Sequence, residues 1–316
     1  MPPLLFLGVE GGATRTTGVI TDADLRVLVR RVGEPTNVHA VGEKAAWQAV
    51  SDLLDDLRGP EGCDTTAPDA AAFCIAGVRS EADRRVWRRF VRKMRLGCRA
   101  VVTHDAAAGL AAGSPDETGI LVICGTGALV YGRRADGAER FVGGRGPILG
   151  DEGSGFDIGL RGLRAAIRAS DGRGKPTLLE HLIPERLKLK NLDALVPWVS
   201  PFAKDRVANV APIIFEAAAA GDDVAVDIVE GAAEELARSV AVVARGLWPP
   251  PARLERVVLT GGVLRNQPSM RLALIAAVSE SFPDAACALP EVEGAVGAAR
   301  IARRWIEQQR QVRVRP

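Results

Sequence analysis

Two glycine-rich turns, one in each half of the chain, are the feature that most constrains its fold. The first, Glu10-Gly11-Gly12-Ala13-Thr14, and the second, Gly125-Thr126-Gly127, each lie between two stretches that alternate as β-strands. A Rossmann fingerprint or a P-loop would open a helix after its glycines, so both are disfavoured. The chain therefore carries one strand–turn–strand unit twice, which predicts two similar domains.

The other predicted elements repeat in the same way. The strands of the first half are Leu4 to Val9, Thr16 to Thr21, Leu25 to Val32, Ala70 to Ala76 and Arg99 to Thr103, with helices at Glu43 to Leu57 and after Ser80. The strands of the second half are Gly119 to Cys124, Gly127 to Gly132, Arg140 to Gly143 and Arg256 to Thr260, with helices at Ser154 to Ala169, Asp222 to Leu247, Pro268 to Ser281 and Glu293 to Gln309. We expect an α/β protein with domains 1–113 and 114–316 facing a cleft, and a final helix, 293–309, able to pack back on the first domain.

Charge and hydropathy restrict the classes of partner. The net charge is only +2, which gives no general reason to expect nucleic acid or membrane as a partner. The arginine-rich run from Arg84 to Arg95 is predicted to be the solvated face of a helix capped by Ser80. No apolar run approaches about 20 residues, and no basic segment precedes an apolar stretch at the N-terminus. We expect a cytoplasmic protein.

The five cysteines are scattered and form neither a C-x-x-C motif nor a pair with histidine at metal-ligand spacing. Cys74 and Cys124 lie within apolar strand patterns. We therefore predict buried thiols in a reducing compartment rather than a metal site.

Asp105 is the candidate catalytic residue. It follows the predicted strand that ends at Thr103, and the chain supplies three glycine turns around it, the third being Gly261-Gly262 between a strand and a helix. Glycine lets backbone N–H groups approach a phosphate closely. The set indicates a nucleotide site with a proton acceptor beside it. The alternative is that Asp105 is a helix N-cap, since three alanines follow it. His104 is given no role.

Two further segments carry polar groups suited to a ligand. The glycine-dense stretch from Gly143 to Ser154 predicts a rigid loop that presents Asp151 and Glu152, or else an ordinary acidic first turn of a helix. Asn37 offers both a donor and an acceptor, as recognition of a sugar hydroxyl requires. Asn37 is equally compatible with ordinary loop chemistry.

Seven segments, in this order, resemble the BadF/BadG/BcrA/BcrD-type ATPase family, within the superfamily of actin, sugar kinases and heat-shock chaperone ATPases. They are Gly8-Val9-Glu10-Gly11-Gly12-Ala13-Thr14-Arg15, Pro35-Thr36-Asn37, Ala76-Gly77-Val78, Asp105-Ala106-Ala107, Gly125-Thr126-Gly127, Gly150-Asp151-Glu152-Gly153-Ser154 and Gly261-Gly262-Val263. The chain is most similar to the N-acetylglucosamine kinase branch.

The resemblance implies two actin-like (ribonuclease H-like) domains flanking an ATP cleft, with ATP and Mg²⁺ as cofactors. For ATP, it assigns a first phosphate loop to Gly11, Gly12, Ala13 and Thr14, a second phosphate loop to Gly125, Thr126 and Gly127, and adenosine contacts to Gly261 and Gly262. For the sugar, it assigns contacts to Asn37, Gly144, Arg145 and Asp151. Asp105 would be the general base, and Glu10 would hold a water of the Mg²⁺ shell. The implied activity is phosphorylation of N-acetylglucosamine or glucosamine at the 6-hydroxyl. A homodimer is one possible oligomeric state, which the sequence does not determine.

Three residues depart from the family pattern. Glu10 replaces a common Asp, as it does in some sugar kinases of this branch, and Ala13 replaces a common Gly. Arg145 stands where acetylhexosamine kinases usually have Trp, which removes an apolar platform against the sugar. The zinc-binding cysteine cluster of the related ROK sugar kinases is absent from the sequence. Two other functions stay open: an ATPase that activates a radical dehydratase, and a non-catalytic sensor of sugar or nucleotide.

Overall fold

The computed structural model describes residues 4–12, 14–58, 68–249 and 253–314, with side chains as far as residue 310. The described residues form two compact units. Unit 1 takes in those up to Thr118 together with those from Pro290 onward, and unit 2 is Gly119–Leu289. Unit 1 thus runs past the expected boundary at residue 113 and includes the final helix.

Each unit contains one mixed five-stranded sheet. The strands are β1 (Phe6–Gly11), β2 (Thr16–Thr21), β3 (Val27–Gly33), β4 (Ala70–Ile75), β5 (Arg99–Thr103), β6 (Gly119–Cys124), β7 (Ala128–Arg133), β8 (Glu139–Gly143), β9 (Arg256–Thr260) and β10 (Ala286–Ala288). The order is β3-β2-β1-β4-β5 in unit 1 and β8-β7-β6-β9-β10 in unit 2. In both units the first three strands form an antiparallel meander and the last two lie parallel to the first. The two units therefore share one topology, as the repeated turns predict.

The helices cover the faces of the sheets. They are α1 (Val38–Val41), α2 (Glu43–Arg58), α3 (Glu81–Lys93), α4 (Asp105–Gly113), α5 (Gly146–Leu149), α6 (Gly155–Ser170), α7 (Leu179–Arg186), α8 (Leu195–Trp198), α9 (Lys204–Ala208), α10 (Ala211–Ala219), α11 (Asp223–Leu247), α12 (Gly262–Asn266), α13 (Pro268–Ser281) and α14 (Gly294–Val314), with a 3-10 turn at Leu192–Ala194. No helix in the described ranges is long and apolar enough to span a bilayer.

Small residues let α14 lie directly on the sheet of unit 1. A side chain at Gly8 in β1 would collide with the backbone of α14 at Ala295, and one at Gly297 would collide with the backbone of α4 at Ala108. Ala295 and Ala299 are fully buried there. Because this packing is backbone against backbone, the first residues of α14 are held close to the carboxyl end of β1.

Long, periodic segments agree with the sequence prediction and short ones do not. Four strands, β2, β5, β6 and β9, and the helix α13 have the predicted bounds. The short helices α1, α5 and α12 and the three-residue strand β10 were not predicted. A helix of four or five residues is little more than one turn, and a strand of three residues is too short to show alternation, so the structure of these elements depends on packing.

Candidate functional site

Two carboxylates of unit 1 lie at the same edge of its sheet. Three parallel strands are in register here, so that Glu10 of β1 lies next to Cys74 of β4, and Cys74 lies next to Thr103 of β5. Asp105 comes two residues after Thr103, at the start of α4. The charges of both Glu10 and Asp105 raise the pKa of the buried Cys74 thiol, although burial is the larger cause. The fold therefore brings Glu10 and Asp105 together although they are 95 positions apart in sequence.

His104, rather than Asp105, is the N-cap of α4. Its Nδ1 accepts a hydrogen bond from the backbone N–H of Ala107 at 3.1 Å, so the alternative role considered for Asp105 is wrong. Asp105 occupies the first helical position, where its Oδ1 accepts from Ala106 N–H at 3.0 Å. The cap falls on His104 because the imidazole nitrogen serves as an acceptor, which a search for Ser, Thr, Asp or Asn caps overlooks.

Asp105 is a half-buried carboxylate whose pKa is higher than that of an ordinary aspartate. Burial raises its pKa, because removing water disfavours the charged form. His104, the Ala106 N–H and Arg79 oppose this shift but do not cancel it. Arg79 had no place in the sequence prediction, since nothing in its neighbourhood distinguishes it from other surface arginines. A carboxylate with a raised pKa is a stronger proton acceptor than an ordinary aspartate.

Glu10 lies against the first residue of α14. A side chain at Gly294 would collide with the Glu10 carboxylate, so the contact exists only because residue 294 is glycine. The amino end of a helix carries partial positive charge, which favours a carboxylate there. No local sequence pattern predicts this contact, because its two partners are 284 positions apart in the chain.

The first glycine turn is fixed by its own hairpin. Gly12 N–H donates to the carbonyl of Arg15 at 2.9 Å, and a side chain at Gly12 would lie 2.8 Å from the same oxygen. A side chain at Gly11 would collide with the buried hydroxyl of Thr36. Both glycines are therefore required by packing, whatever they bind. Thr14 is exposed, and Ala13 lies outside the described residues.

Asn37 is the N-cap of α1. Its Oδ1 accepts from His39 N–H at 3.1 Å and lies over the bare backbone of Gly77, where a side chain would come within 2.5 Å of it. The His39 imidazole in turn lies 3.2 Å from the Asp83 carboxylate. Because the Asn37 carbonyl is used in the cap, its NH₂ group is the part that can donate to a ligand.

In unit 2 the second and third glycine turns lie side by side. A side chain at Gly125 would meet only the amide nitrogen of Gly262, 3.7 Å away, and one at Gly262 would meet nothing within 4 Å. Gly261, by contrast, has φ +99° and packs against the backbone of Cys124 so closely that a side chain would collide. The parallel pairing of β6 with β9 causes this adjacency. The result is a strip of bare, accessible backbone that fits a phosphate or the face of a nucleoside.

Asp151 is fixed beneath the second turn. It is only 3% exposed, adopts φ +63°, and accepts from Ala128 N–H at 3.1 Å through Oδ1. Lys204 Nζ lies 2.8 Å from Oδ2, at ion-pair distance although not aligned as a hydrogen bond. A side chain at Gly127 would come within 2.7 Å of the Asp151 carboxylate and 2.9 Å of the Lys204 ammonium. Lys204 was not predicted, because it lies 53 residues away in a stretch without clear periodicity.

The loop that holds Arg145 contains a short helix, α5. Glu152 is exposed while Asp151 is buried, so the loop does not present the acidic pair together. Gly144 N–H donates to the carbonyl of Ala128 at 2.9 Å and anchors the loop beside β7. The exposed Arg145 has no carboxylate within 4.0 Å among the described side chains, so the structure contains no ion pair between Arg145 and Asp151 or Glu152.

Two of the described cysteines lie in strands of the sheets, Cys74 in β4 and Cys124 in β6. Cys74 and Cys124 are fully buried, as predicted, and burial raises the pKa of the Cys124 thiol to about 12. No group of three His, Cys, Asp or Glu side chains in those ranges could hold a metal ion. Cys63 lies outside the described residues.

Two curated sugar kinases are similar in sequence to this chain over most of its length. An N-acetylmuramic acid/N-acetylglucosamine kinase of Clostridium acetobutylicum is 33% identical over 266 residues, covering 82% of this chain and 85% of that protein. An N-acetyl-D-glucosamine kinase of Dictyostelium discoideum is 28% identical over 314 residues, covering 94% and 97%.

A solved structure from Chromobacterium violaceum, provisionally assigned as an N-acetylglucosamine kinase, superimposes with a TM-score of 0.73 at 24% identity and covers 94% of this chain and 98% of that one. This similarity confirms the predicted actin-like fold. Residues 7–302 match the BadF/BadG/BcrA/BcrD ATPase family. The resemblance inferred from the seven sequence segments is thereby confirmed, and the chain belongs to the BadF/BadG/BcrA/BcrD ATPase family.

Proposed function

We propose that this protein is an ATP-dependent sugar kinase that phosphorylates an amino sugar, N-acetylglucosamine or glucosamine, at the 6-hydroxyl. The observation that carries the proposal is Asp105: a half-buried carboxylate with a raised pKa, at the carboxyl end of β5 and beside Glu10. Both curated relatives described above are kinases of acetylated amino sugars, which supports the same substrate class here.

Asp105 would act as the general base. Phosphoryl transfer asks the protein mainly for positioning and for charge stabilisation, and the attacking hydroxyl must lose its proton as the new bond forms. The Asp105 carboxylate accepts that proton, a contribution typically worth about 10²–10⁴ in rate. Its Oδ1 is already oriented by Ala106 N–H, which limits the reorganisation needed.

ATP would be bound through backbone groups. In unit 2 the accessible backbone at Gly125, Thr126 and Gly262 suits phosphate and adenosine, while Gly127 and Gly261 shape the two turns from within. In unit 1 the hairpin turn with Gly11, Gly12 and Thr14 would supply the second phosphate contact. Glu10 would hold a water of a bound Mg²⁺ ion, whose charge offsets that of the phosphate oxygens. The hard carboxylate oxygens of Glu10 fit this ion.

The sugar would be recognised by Asn37, Asp151 and the loop with Gly144 and Arg145. Asn37 can donate through its NH₂ group because its carbonyl is committed to the helix cap. An ionised carboxylate accepts at about four positions. The Asp151 carboxylate meets one N–H donor and one ammonium in the structure, so it retains capacity for a sugar hydroxyl.

One observation favours a second acceptor, N-acetylmuramic acid. Arg145 replaces the expected aromatic residue, is exposed, and has no carboxylate partner in the described structure. A guanidinium matches a carboxylate through two parallel hydrogen bonds, and N-acetylmuramic acid is an amino sugar with an acidic substituent. The relative from Clostridium acetobutylicum is named as a kinase of both sugars.

The test is an ADP-release assay with N-acetylglucosamine, glucosamine, N-acetylmuramic acid, glucose and no acceptor, followed by identification of the phosphorylated position. Release that requires an amino sugar supports the proposal. Release that is equally fast without any sugar indicates an ATPase of the dehydratase-activator type, and an iron assay then separates the two. Sugar or nucleotide binding without turnover indicates a sensor. We also propose that the protein is a homodimer, which its mass in solution would test, and that it is cytoplasmic, which cell fractionation would test.

A further inference from the structure

A groove of about 650 Å³ lies on unit 1 between α3, β5 and Trp305 of α14. β5 is the edge strand of the sheet, so the groove follows an edge that no other described strand covers. Its floor is apolar and includes Val91, Leu96 and Val102. None of these residues belongs to the proposed kinase site, so the groove is a separate feature of the molecule.

Five arginines line this groove: Arg85, Arg88, Arg92, Arg95 and Arg99. Arg88 pairs with Glu81 at 2.6 Å, whereas the other four have no carboxylate within 4.0 Å in the described part of the chain. The sequence predicted this run to be a solvated helix face. The arginines are indeed exposed, but they converge on one concave surface instead of spreading over an open one.

The row of charges has a defined length. Arg85, Arg88 and Arg92 follow one face of α3 over seven residues, which is about 10 Å along the helix. The Arg85 and Arg92 Nε groups donate to backbone carbonyls one turn earlier, at 3.4 and 3.2 Å, which orients both side chains along the helix. Like charges at this spacing repel. A bound anion would remove that repulsion, and a length of about 10 Å accommodates more than one anionic group.

Trp305 adds a flat aromatic surface to the lining of the groove. The Arg99 guanidinium lies 6.0 Å from the centre of its ring. Asp69 and Arg99 both line a neighbouring groove, but the Asp69 carboxylate accepts from Leu5 N–H at 2.9 Å. The groove therefore combines several guanidinium groups with one aromatic face.

We propose that this groove binds a diphosphate-bearing compound with a ring, the chemistry shared by nucleoside diphosphates and nucleotide sugars. Guanidinium groups bind phosphate oxygens in pairs, and the Trp305 face suits a base or sugar ring. The volume is that of a small-molecule site. A small ligand is favoured over nucleic acid or an acidic protein because the chain as a whole carries a charge of only +2, so the positive potential is local.

The test compares two double variants of the full-length protein that remove the same charge from the same helix region. Arg92→Gln with Arg95→Gln alters the groove. Arg89→Gln with Lys93→Gln is the matched control, because these two side chains lie over the Trp47 ring instead. Calorimetry in about 0.15 M salt, which screens general attraction, would use inorganic pyrophosphate, uridine diphosphate and a uridine diphosphate sugar, with an oligonucleotide and an acidic peptide for comparison. Hydrogen exchange would locate the binding by protection of residues 92–103.

We expect the groove variant to bind uridine diphosphate about tenfold or more weakly at this site, with loss of the protection at 92–103, while the control stays within about twofold of the wild type. Trp305→Leu should weaken the two ring-bearing ligands but not pyrophosphate. Whichever of the two binds more tightly, uridine diphosphate or the uridine diphosphate sugar, shows whether the groove is suited to a nucleoside diphosphate or to a nucleotide sugar. Equal losses in both double variants, no protection at 92–103, or tighter binding of an oligonucleotide or acidic peptide than of any diphosphate would each overturn the proposal.

Discussion

The ion pair between Lys204 and Asp151 permits a sharp test of how unit 2 supports its glycine turn. Replacing Lys204 by Met keeps the length and apolar character of the side chain but removes the ammonium. The Asp151 carboxylate, 3% exposed, then keeps one N–H donor and loses its counter-charge. Breaking a buried pair in this way costs about 3–5 kcal/mol. Because 31% of the Lys204 side chain is exposed, water can reach the site in part, and we expect about 2 kcal/mol.

The assay is chemical denaturation followed by circular dichroism, read as the midpoint, because two compact units need not unfold in one step. Lys175→Met is the matched control in the same unit, since its pair with Asp227 is 3.7 Å long and both side chains are largely exposed. That control should change stability by less than about 0.5 kcal/mol. Adding Asp151→Asn to Lys204→Met should restore much of the loss, because Asn removes the unpaired charge and still accepts from Ala128 N–H.

Two results would refute this reasoning. One is a Lys204→Met midpoint no lower than that of Lys175→Met, which would mean that the pair is fully solvated. The other is a double variant as unstable as Lys204→Met alone, because the loss would then come from packing of the lysine stem and not from the carboxylate.

The remaining predictions concern chemistry and binding. Asp105→Asn should lower kcat by about 10²–10⁴ while ATP still binds, and a near-normal kcat would remove the general-base role. Burial raises the pKa of Asp105 in the folded state, so ionising this carboxyl lowers the stability of the fold at pH values above that pKa. The loss disappears when the pH falls below the pKa of the unfolded state, near 3.9. Asn carries no such charge, so the thermal midpoint of Asp105→Asn at pH 7 should not fall below that of the wild type. Gly125→Val should weaken ATP binding, measured by calorimetry, roughly 10- to 100-fold while the fold is retained, because its side chain enters open space. Gly12→Val should also disturb its own hairpin. Normal ATP binding by Gly125→Val would contradict the assignment of this turn to phosphate. Arg145→Trp should shift kcat/KM from acidic acceptors toward N-acetylglucosamine, and an unchanged ranking of acceptors would exclude Arg145 from specificity.

The elements that the sequence predicted well are those whose apolar period extends over several turns or a whole strand. β5 and β6 have the predicted bounds, and Asp105 lies at the carboxyl end of β5 as expected. The contacts that complete the candidate site are of another kind. The contact of Glu10 with Gly294 and the pairing of Asp151 with Lys204 join residues far apart in the chain, so no local pattern encodes them.

The glycines of the sequence motifs also prove to have different physical functions. A side chain at Gly11 or Gly261 would strike the protein itself, so these glycines are required for the fold whether or not a ligand binds. A side chain at Gly125 or Gly262 would find open space, so folding alone does not explain why these positions lack one. Glycine is the most costly residue to order, and a bare position with room for a side chain is consistent with close approach of another molecule. A side chain at Gly125 would lie 3.7 Å from the amide nitrogen of Gly262, and both glycines come just after the ends of two adjacent parallel strands. The case for nucleotide binding in unit 2 therefore rests on these two residues, and substitutions at the other glycines would report on folding instead.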